Sequence, residues 1–435
     1  MPAALPPLEP PRRPQLPTPH ELIHDVLIVG GGLVGASLAI ALDRTGVDVA
    51  LIEAAPPGAL PAVFDERNLS FSESTVNALT ALGVMQKLRV PSGAIERIHI
   101  SRRGDFGRSV LEAAQHGRSE FGRVVVARDF GEALEARLAE LPRLLRYRPV
   151  RFVGTEPVRD PGFREVRIAD GGGERIIRTR LLVGADGTRS GVRDALGISA
   201  DQHDYHQSLF VTRLRAERAP DGTAYERLGD HGPTALLPRG DRHYGLILAV
   251  AADSTDAVDS LDEVGFLSHA QDAFGWRVGR FLSCGARSVY SATRVTSREL
   301  TADRAVLVGN SAQTIHPIGA QGFNLGLRDA LSLAELIDRG RAANSDTSEI
   351  FDCGSPTLLA QYRQRRQEDR QRTLQFSDGL ARLSAEPSAL MRPLRSLGLL
   401  ALGHSDSLQS LLVGGALGYR GHVPEMCRAA TDAGR

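Results

Sequence analysis

The chain has 435 residues, enough for two domains with substantial hydrophobic cores. Its 52 lysines and arginines balance 52 aspartates and glutamates, so the overall charge gives no indication of a nucleic-acid partner. The three cysteines lie far apart without C-x-x-C spacing, which predicts reduced thiols, and no histidine or cysteine cluster has the spacing of a metal site.

The amino-terminal segment, residues 1–21, contains eight prolines and predicts a disordered arm. Its paired Arg12 and Arg13 precede no separate apolar segment, so an export signal is not indicated. The uncharged run 26–42 is at the short end of the ~17–25 residues that a membrane helix needs. Three consecutive glycines within that run fit a turn between a strand and a helix better.

The first informative unit has the order strand, glycine turn, helix, strand and acid. Its parts are Val26–Val29, the G-x-G-x-x-G signature of Gly30, Gly32 and Gly35, Ala36–Arg44, Val47–Ile52 and Glu53. The first glycine permits a tight turn, the second lets a pyrophosphate approach bare backbone at a helix N-terminus, and the third lets the helix pack closely on the sheet. The acid is placed to accept hydrogen bonds from an adenosine ribose. Together these features predict dinucleotide binding.

Arg67 follows this unit and precedes a predicted helix over 73–82. Ser70 and Glu73 have capping-box spacing at the start of that helix. The guanidinium of Arg67 is placed to reach a phosphate or a substrate pocket, and a surface salt bridge is the alternative.

Arg128 lies between a predicted strand, 124–126, and a predicted helix over 130–141, at a ligand-facing position. The preceding polar residues 102–120 predict a loop or a poorly defined hairpin. Residues 150–155 and 165–169 predict paired strands.

A second strand end carries glycines and an acid. Leu181–Val183 predicts a buried strand, and Gly184, Asp186 and Gly187 follow it. An acid between glycines at such a strand end is suited to contacts with hydroxyl or amide groups, although an Asx-turn is an equal alternative from this stretch alone.

The sequence pattern changes over residues 205–295. Short apolar runs at 209–214, 234–237, 244–250 and 288–295 are separated by turns, and a helix is predicted over 265–281. This pattern predicts an antiparallel sheet backed by a helix and inserted into the nucleotide-binding domain.

A third strand end begins with Ala305–Val308 and continues through Gly309 and Asn310 into a loop rich in proline and glycine. A helix is predicted from about 323 to 339, and its first N–H groups are suited to an anionic or carbonyl-rich ring edge. Further helices are predicted over 362–383 and 390–402. The arginine run at 363–372 predicts a solvated face, with a basic face toward acidic lipid as the alternative.

Three glycine-bearing strand ends, taken together, resemble the single-component FAD-dependent aromatic hydroxylases with a p-hydroxybenzoate-hydroxylase-like fold, and within them the ubiquinone-biosynthesis branch. The resemblance implies an α/β fold, in which a Rossmann-like FAD-binding domain carries an inserted antiparallel-sheet substrate domain and C-terminal helices. It implies an FAD-binding domain of 22–95, 122–204 and 296–345, a substrate domain of 96–121 and 205–295, and a C-terminal helical region of 346–435. The residues matched to FAD contacts are Gly30, Gly32, Gly35, Glu53, Arg67, Arg128, Asp186, Gly187, Gly309, Asn310, Gly319, Ala320, Gln321, Gly322 and Asn324.

Two positions depart from the family pattern. Asn310 replaces the usual aspartate, and its amide keeps an acceptor oxygen, so FAD binding is expected to survive. The surrounding form, Gly-Asn-x-Ala-Gln-Thr-x-His-Pro, resembles hydroxylases of 2-polyprenyl-6-methoxyphenol. Ala320 replaces a glycine, and its N–H is expected to serve the flavin only if its φ is negative.

The implied chemistry needs neither a metal nor a protein nucleophile. Flavin reduced by NAD(P)H reacts with O₂ to give a C4a-hydroperoxide, which an electron-rich phenol attacks, while the protein binds, orients and excludes water. Pro317 belongs to the segment expected to line the flavin ring. His316 beside it is a candidate proton relay, and a structural hydrogen-bonding role is the alternative.

The resemblance therefore implies hydroxylation of a polyprenyl phenol in ubiquinone biosynthesis. The expected partners are this apolar phenol, O₂, other ubiquinone-biosynthesis proteins and a membrane surface, which residues 385–425 are expected to contact. The expected location is the cytoplasm, at the periphery of the inner membrane. Alternatives are hydroxylation of another ring position or of a soluble aromatic, a flavin reductase or halogenase, and a non-catalytic nucleotide-binding subunit of a biosynthetic complex.

Overall fold

The computed structural model describes residues 23–62, 65–344, 351–385, 391–419 and 421–428, so the predicted arm lies outside the described residues. The strands are β1 (Ile23–Val29), β2 (Val49–Ile52), β3 (Asn68–Ser72), β4 (Gly93–Ile95), β5 (Arg97–Arg102), β6 (Arg108–Glu112), β7 (Gly122–Val126), β8 (Leu145–Tyr147), β9 (Arg151–Thr155), β10 (Arg164–Asp170), β11 (Gly173–Gly184), β12 (Ala200–Ala216), β13 (Thr223–Gly229), β14 (Gly232–Pro238), β15 (Tyr244–Ala251), β16 (Phe281–Cys284), β17 (Ser288–Ser297), β18 (Thr301–Ala302), β19 (Ala305–Leu307) and β20 (Gln313–Thr314). The helices are α1 (Leu33–Asp43), α2 (Glu73–Ala81), α3 (Ala127–Leu138), α4 (Gly191–Ala195), α5 (Thr255–Asp259), α6 (Glu263–Phe274), α7 (Gly322–Ala343), α8 (Pro356–Ala385), α9 (Met391–His404) and α10 (Asp406–Ala416).

The first sheet has the order β18-β19-β11-β1-β2-β8, and the hairpin of β9 and β10 extends from β11. Strand β1 pairs in parallel with β2 and β11, and β11 pairs in parallel with β19. The central strands of this sheet are buried on both faces, which explains why each is a continuous apolar run in the sequence. The carboxyl ends of β1, β11 and β19 therefore meet at one edge.

The second sheet has the order β20-β17-β12-β15-β14-β13-β5-β6, with β16 beside β12. The predicted antiparallel insert is present, and the polar stretch 102–120 contributes β6, which forms a hairpin with β5. Because this hairpin joins at β13 in parallel, the sheet includes one parallel pair. The backing helix α6 ends at Phe274, earlier than predicted, because Gly275 adopts φ 87°.

A third, small sheet has the order β3-β7-β4. The predicted capping box was wrong, because Ser70 lies inside β3 and the N-cap of α2 is Ser72. Residues that the local pattern assigned to the cap of a helix instead form β3, which pairs with β7.

Of the C-terminal helices, α8 packs on α7, α9 packs on β6, and α10 packs on α9. The prediction of a solvated arginine face holds for Arg363 and Arg372, whose side chains are half exposed. It was wrong for Arg366, which is fully buried between Asp329 and Asp369. Across the described helices, none combines the length and apolar character that crossing a bilayer requires.

Candidate functional site

The glycine turn after β1 is shaped by close backbone packing. Gly30 has φ 107°, and a Cβ there would lie 2.6 Å from the Ala185 carbonyl oxygen. A Cβ on Gly35 would lie 1.9 Å from the carbonyl oxygen of Gly30, so only glycine fits at both positions. The N-cap residue of α1 is Gly32, which has no side chain to compete for the first N–H groups of the helix. The turn therefore has the shape and polarity of a pyrophosphate cradle.

The three predicted strand ends converge on this turn. The N–H of Ala185 donates to the carbonyl of Val29, which places Asp186 directly beside Gly30. Gly309 has φ 62°, and a Cβ on it would lie 2.9 Å from the side chain of Val34 in the first turn of α1. Segments separated by more than a hundred residues thus meet at one edge of the sheet, as an extended dinucleotide requires.

Glu53 is held in place by the backbone. Its two carboxylate oxygens accept the N–H groups of Gly31 at 2.8 Å and Ala55 at 2.7 Å. Each oxygen retains a second lone pair, so the carboxylate can still accept hydrogen bonds from ribose hydroxyls.

Asp186 anchors the second motif. It accepts hydrogen bonds from the Ser190 hydroxyl at 2.5 Å and from the Val192 N–H at 3.0 Å. Burial raises the pKa of this carboxyl, and these hydrogen bonds oppose the shift. Its bond to the N–H of Val192 ties it to α4, while Gly187, at φ 85°, leaves the neighbouring backbone open.

A buried charged network supports the third motif. Asp329 on α7 accepts the N–H of Gly309 at 3.2 Å and the amide of Gln313 at 2.6 Å. Its other oxygen accepts from Arg366 on α8 at 2.7 Å. Asn310 lies exposed beside this support, at the cradle edge.

The two predicted arginines lie near each other but differ in environment. Arg67 donates to Asp65 at 2.9 Å and stacks over the ring of Tyr290, 4.7 Å from its centroid. Arg128 forms a salt bridge with Glu66, and its side chain is half exposed. Arg67 therefore connects the chain before β3 to the inserted sheet. Arg128 lies in the first turn of α3, which begins at Ala127, three residues before the predicted helix start.

The loop after Pro317 has two left-handed residues, Gly319 at φ 71° and Ala320 at φ 50°. The condition set by the sequence, a negative φ at Ala320, is not met. Its N–H instead donates to the carbonyl of Pro317 at 2.8 Å. That N–H is consequently engaged within the loop rather than directed at a ring edge.

The residues after Ala320 fasten the loop to its surroundings. The amide of Gln321 donates to the carbonyls of Gly319 at 3.2 Å and Ala416 at 3.4 Å. Gly322 begins α7. Asn324, which is buried, accepts the N–H of Ser72 and donates to the carbonyl of Ala320. These contacts fix the position of the loop against β3.

His316 is buried, and both ring nitrogens have partners. Nδ1 accepts the N–H of Ile318 at 3.1 Å, which leaves the proton on Nε2 to donate to Gln207 at 3.0 Å. Burial lowers the pKa of His316 to about 4, so the imidazole is neutral. Its ring also meets that of Tyr205 edge-on. This geometry favours the structural role over the proton relay.

The inserted sheet presents an apolar face toward this loop. Leu209, Ala249 and Ala292 form a buried cluster with Tyr205 and Ile247 packed against it. Because side chains alternate along a strand, the opposite face, rich in phenylalanine, packs on α6. The inner face is suited to an aromatic or aliphatic ligand.

Sequence analysis missed the partners that the inserted sheet contributes, namely Tyr205, Gln207 and Tyr290. They lie on strands far from the glycine motifs, and no local signal marks them. In the described ranges no group of three metal-ligating side chains converges.

A dinucleotide cradle built from three strand ends, facing an inserted sheet with an apolar inner surface, defines a flavin-dependent aromatic hydroxylase. Residues 24–377 match the family described as FAD binding domain, and the chain belongs to that family. It is an FAD-dependent monooxygenase. NAD(P)H is the typical co-substrate in this family.

Relatives match over nearly the whole chain. Ubiquinone hydroxylase UbiL from Rhodospirillum rubrum is 32% identical, with 93% of this chain and 91% of the relative covered. The 3-demethoxyubiquinol 3-hydroxylase from Escherichia coli is 28% identical, with 91% and 98% covered. Among solved structures, p-nitrophenol 4-monooxygenase PnpA from Pseudomonas putida has a TM-score of 0.74 at 17% identity, covering 92% of this chain and 99% of that one. The last likeness concerns the fold alone.

Proposed function

We propose that this protein hydroxylates the ring of a polyprenyl phenol in ubiquinone biosynthesis, with 2-polyprenyl-6-methoxyphenol as its substrate. The observation that carries the proposal is the apolar inner face of Leu209, Ile247 and Ala249 opposite the loop after Pro317. Two named relatives that act on ubiquinone or its precursor support the pathway. The Asn310-containing form of the third motif supports the ring position.

The residues of the cradle fit FAD. The backbone of Gly30 and Gly32 at the start of α1 would hold the pyrophosphate, and Glu53 would hold the adenosine ribose. Further contacts would come from the remaining matched residues: Gly35, Arg67, Arg128, Asp186, Gly187, Gly309, Asn310, Gly319, Gln321, Gly322 and Asn324. Bound FAD supplies the electron transfer from NAD(P)H and the activation of O₂ that the side chains of the protein lack.

The protein itself positions the substrate and excludes water from the site. The bond from His316 to Gln207 fastens the loop to the inserted sheet, so the distance between cradle and inner face is fixed. The apolar inner face holds the aromatic ring and excludes water, which protects reactive species from side reactions.

Access to a polyprenyl substrate motivates the proposed location, the cytoplasm at the periphery of the inner membrane. In the proposed docking region, 385–425, Leu397 is 56% exposed and Leu408 is 45% exposed. The side chains of Arg392, Leu394 and Arg395, which were also part of this hypothesis, lie outside the described residues. Purified protein is expected to co-sediment with anionic liposomes or to bind other ubiquinone-biosynthesis proteins, and failure in both assays would contradict docking.

The decisive experiment is NAD(P)H-driven oxygen uptake by the FAD-loaded protein with candidate phenols. Hydroxylated product is expected to form in step with the oxygen consumed. Oxygen uptake without hydroxylated product from any phenol would overturn the proposed function.

Hydroxylation of another ring position is the second candidate, because the relative from Escherichia coli is named a 3-hydroxylase of demethoxyubiquinol. The quinone intermediate that accumulates in a deletion strain distinguishes the two. Accumulated 2-polyprenyl-6-methoxyphenol supports the first candidate, whereas accumulated demethoxyubiquinol supports the second.

A further inference from the structure

Glu226 lies on the inner face of the inserted sheet. On β13 it is paired with Ala235 of β14, which is paired in turn with Ile247 of β15, a residue of the apolar inner face. Strand alternation places Leu228 on the same face, and Leu228 packs against Ile318, in the loop after Pro317. The carboxyl group of Glu226 therefore points into the space between the sheet and that loop.

This carboxyl group has no protein partner in the described part of the chain. Its Oε1 atom is buried and accepts no hydrogen bond. Burial alone raises the pKa of Glu226 to about 7, with no contribution from a neighbouring cation. The residue as a whole nevertheless keeps part of its surface accessible.

An unpaired acid among apolar residues calls for a ligand. Buried polar groups in native proteins nearly always have a hydrogen-bond partner, and removing one from water without a partner is unfavourable. The neighbours of Glu226 in its row across the sheet, Ala235 and Ile247, offer no donor. A ligand with an apolar ring and one hydroxyl group would pack against the apolar neighbours and donate a hydrogen bond to the carboxyl group of Glu226.

We propose that Glu226 contacts the substrate and accepts the hydrogen bond of its phenolic hydroxyl group. This inference rests on the proposed function and deepens it, because the apolar face alone cannot select which ring edge faces the flavin. As the ring reacts, the phenolic O–H bond breaks and a carboxyl O–H bond forms on Glu226. The electron pair left on the phenolate oxygen makes the ring more electron-rich, and the proton returns to the hydroxylated product before release.

The test compares two soluble probes, 2-methoxyphenol and its methyl ether, 1,2-dimethoxybenzene, in which a methoxy group replaces the donating hydroxyl group. Binding to the FAD-loaded protein is followed by the change in the flavin absorbance spectrum. Wild-type protein is expected to prefer the phenol by roughly 10-fold or more, the range of a hydrogen bond to a charged group. Glu226→Leu is expected to bind both probes within about 2-fold of each other, since it keeps the apolar walls and removes the acceptor.

Two further variants separate the role of Glu226 in the reaction from a general effect of substitution on folding. Glu226→Gln keeps an acceptor but cannot take the proton, so it is expected to retain part of the preference while kcat falls roughly 100-fold or more. Glu174→Gln, at an exposed position near the start of β11, is the matched control and is expected to behave as wild type. Because the carboxyl group of Glu226 has no hydrogen-bond or ion-pair partner in the described part of the chain, Glu226→Leu is expected to fold and to keep its flavin.

The outcomes distinguish this inference from the proposed function. A phenol preference that persists in Glu226→Leu, or that is missing in wild type, overturns the role of Glu226. If wild type hydroxylates a phenol and Glu226→Gln does so at the same rate, the proton-accepting step is overturned while the proposed function stands. Preference for the phenol without hydroxylation of any phenol overturns the proposed function instead.

Discussion

At the scale of single residues, His316 shows how burial sets a charge state. Its folded-state pKa of about 4 lies below the ordinary value of 6.5, so the unfolded chain takes up the proton first as the pH falls. Stability linked to His316 is therefore complete above pH 6.5 and is lost progressively toward pH 4. Asp378, the charge that opposes this shift, limits its size.

We expect wild-type protein to lose about 2 kcal/mol more unfolding free energy between pH 7 and pH 5 than His316→Gln does. Glutamine cannot take up a proton, which removes this part of the pH dependence. Urea unfolding at both pH values measures the difference. His231→Gln, on an exposed turn, is the control and is expected to follow wild type. An identical pH dependence in His316→Gln and wild type would contradict the neutral buried imidazole.

Ala320 presents a different residue-scale problem, because a Cβ-bearing residue occupies the left-handed region at φ 50°. Ala320→Gly relieves this strain and is expected to be neutral or to stabilise the protein by up to about 1 kcal/mol. The comparison is Ala360→Gly on α8, an exposed helical site where glycine is expected to cost about 0.5–1 kcal/mol. Thermal unfolding of the two variants checks the prediction, which fails if both are destabilised equally.

At the scale of elements, α7 and α8 are joined by ion pairs rather than by apolar packing alone. Asp369 accepts from Arg328 at 2.7 Å and from Arg366 at 2.8 Å, and all three side chains are buried. Burial would raise the pKa of Asp369, but the two guanidinium groups outweigh it and lower the pKa to about 2. The same network supports Gly309 through Asp329, so the helix pair positions part of the flavin cradle.

Asp369→Asn is expected to destabilise the protein by about 3 kcal/mol or more, because it leaves buried guanidinium charge uncompensated. Its neighbour Glu368 offers a matched control on the same helix. Glu368 pairs with Arg372 at 2.8 Å, but both side chains are more than half exposed, so Glu368→Gln is expected to cost less than about 0.5 kcal/mol. Urea unfolding compares the two, and similar losses would contradict the importance of burial.

The arginine run shows why a local pattern was insufficient at this scale. Helical spacing alone gives no indication that Arg366 faces α7 while Arg363 faces solvent, because the acids that pair with Arg366 include Asp329, on another helix. The helix start at Glu73 was predicted correctly, but the predicted cap at Ser70 was wrong for a similar reason. Ser70 had the right spacing for a cap, yet pairing of β3 with β7 kept it in a strand.

At the scale of the whole molecule, the sequence predicted the parts that depend on short-range constraints. The glycines, the buried strands and Glu53 lie where their local chemistry indicated, because a tight turn and a close helix approach each require specific residues at fixed spacing. The partners that the inserted sheet contributes, such as Gln207 for His316 and Tyr290 for Arg67, could not be predicted, because they depend on how that sheet packs against the rest of the chain.

The convergence of three strand ends makes one prediction about the whole molecule. A single FAD molecule that spans the cradle is expected to slow amide hydrogen exchange together in residues 31–36, 185–193 and 309–314, relative to apoprotein. Helix α6, on the outer face of the inserted sheet, is expected to remain unchanged. Mass spectrometry of exchanged peptides, with and without FAD, provides the measurement.

Gly35→Ala tests whether this protection is cooperative. The added Cβ would lie 1.9 Å from the carbonyl oxygen of Gly30, so the turn must shift and protection is expected to be lost in all three segments at once. Gly379→Ala, where a Cβ meets nothing within 4 Å, is the control and is expected to retain it. Protection that disappears from the first segment alone would show that FAD does not bridge the three segments.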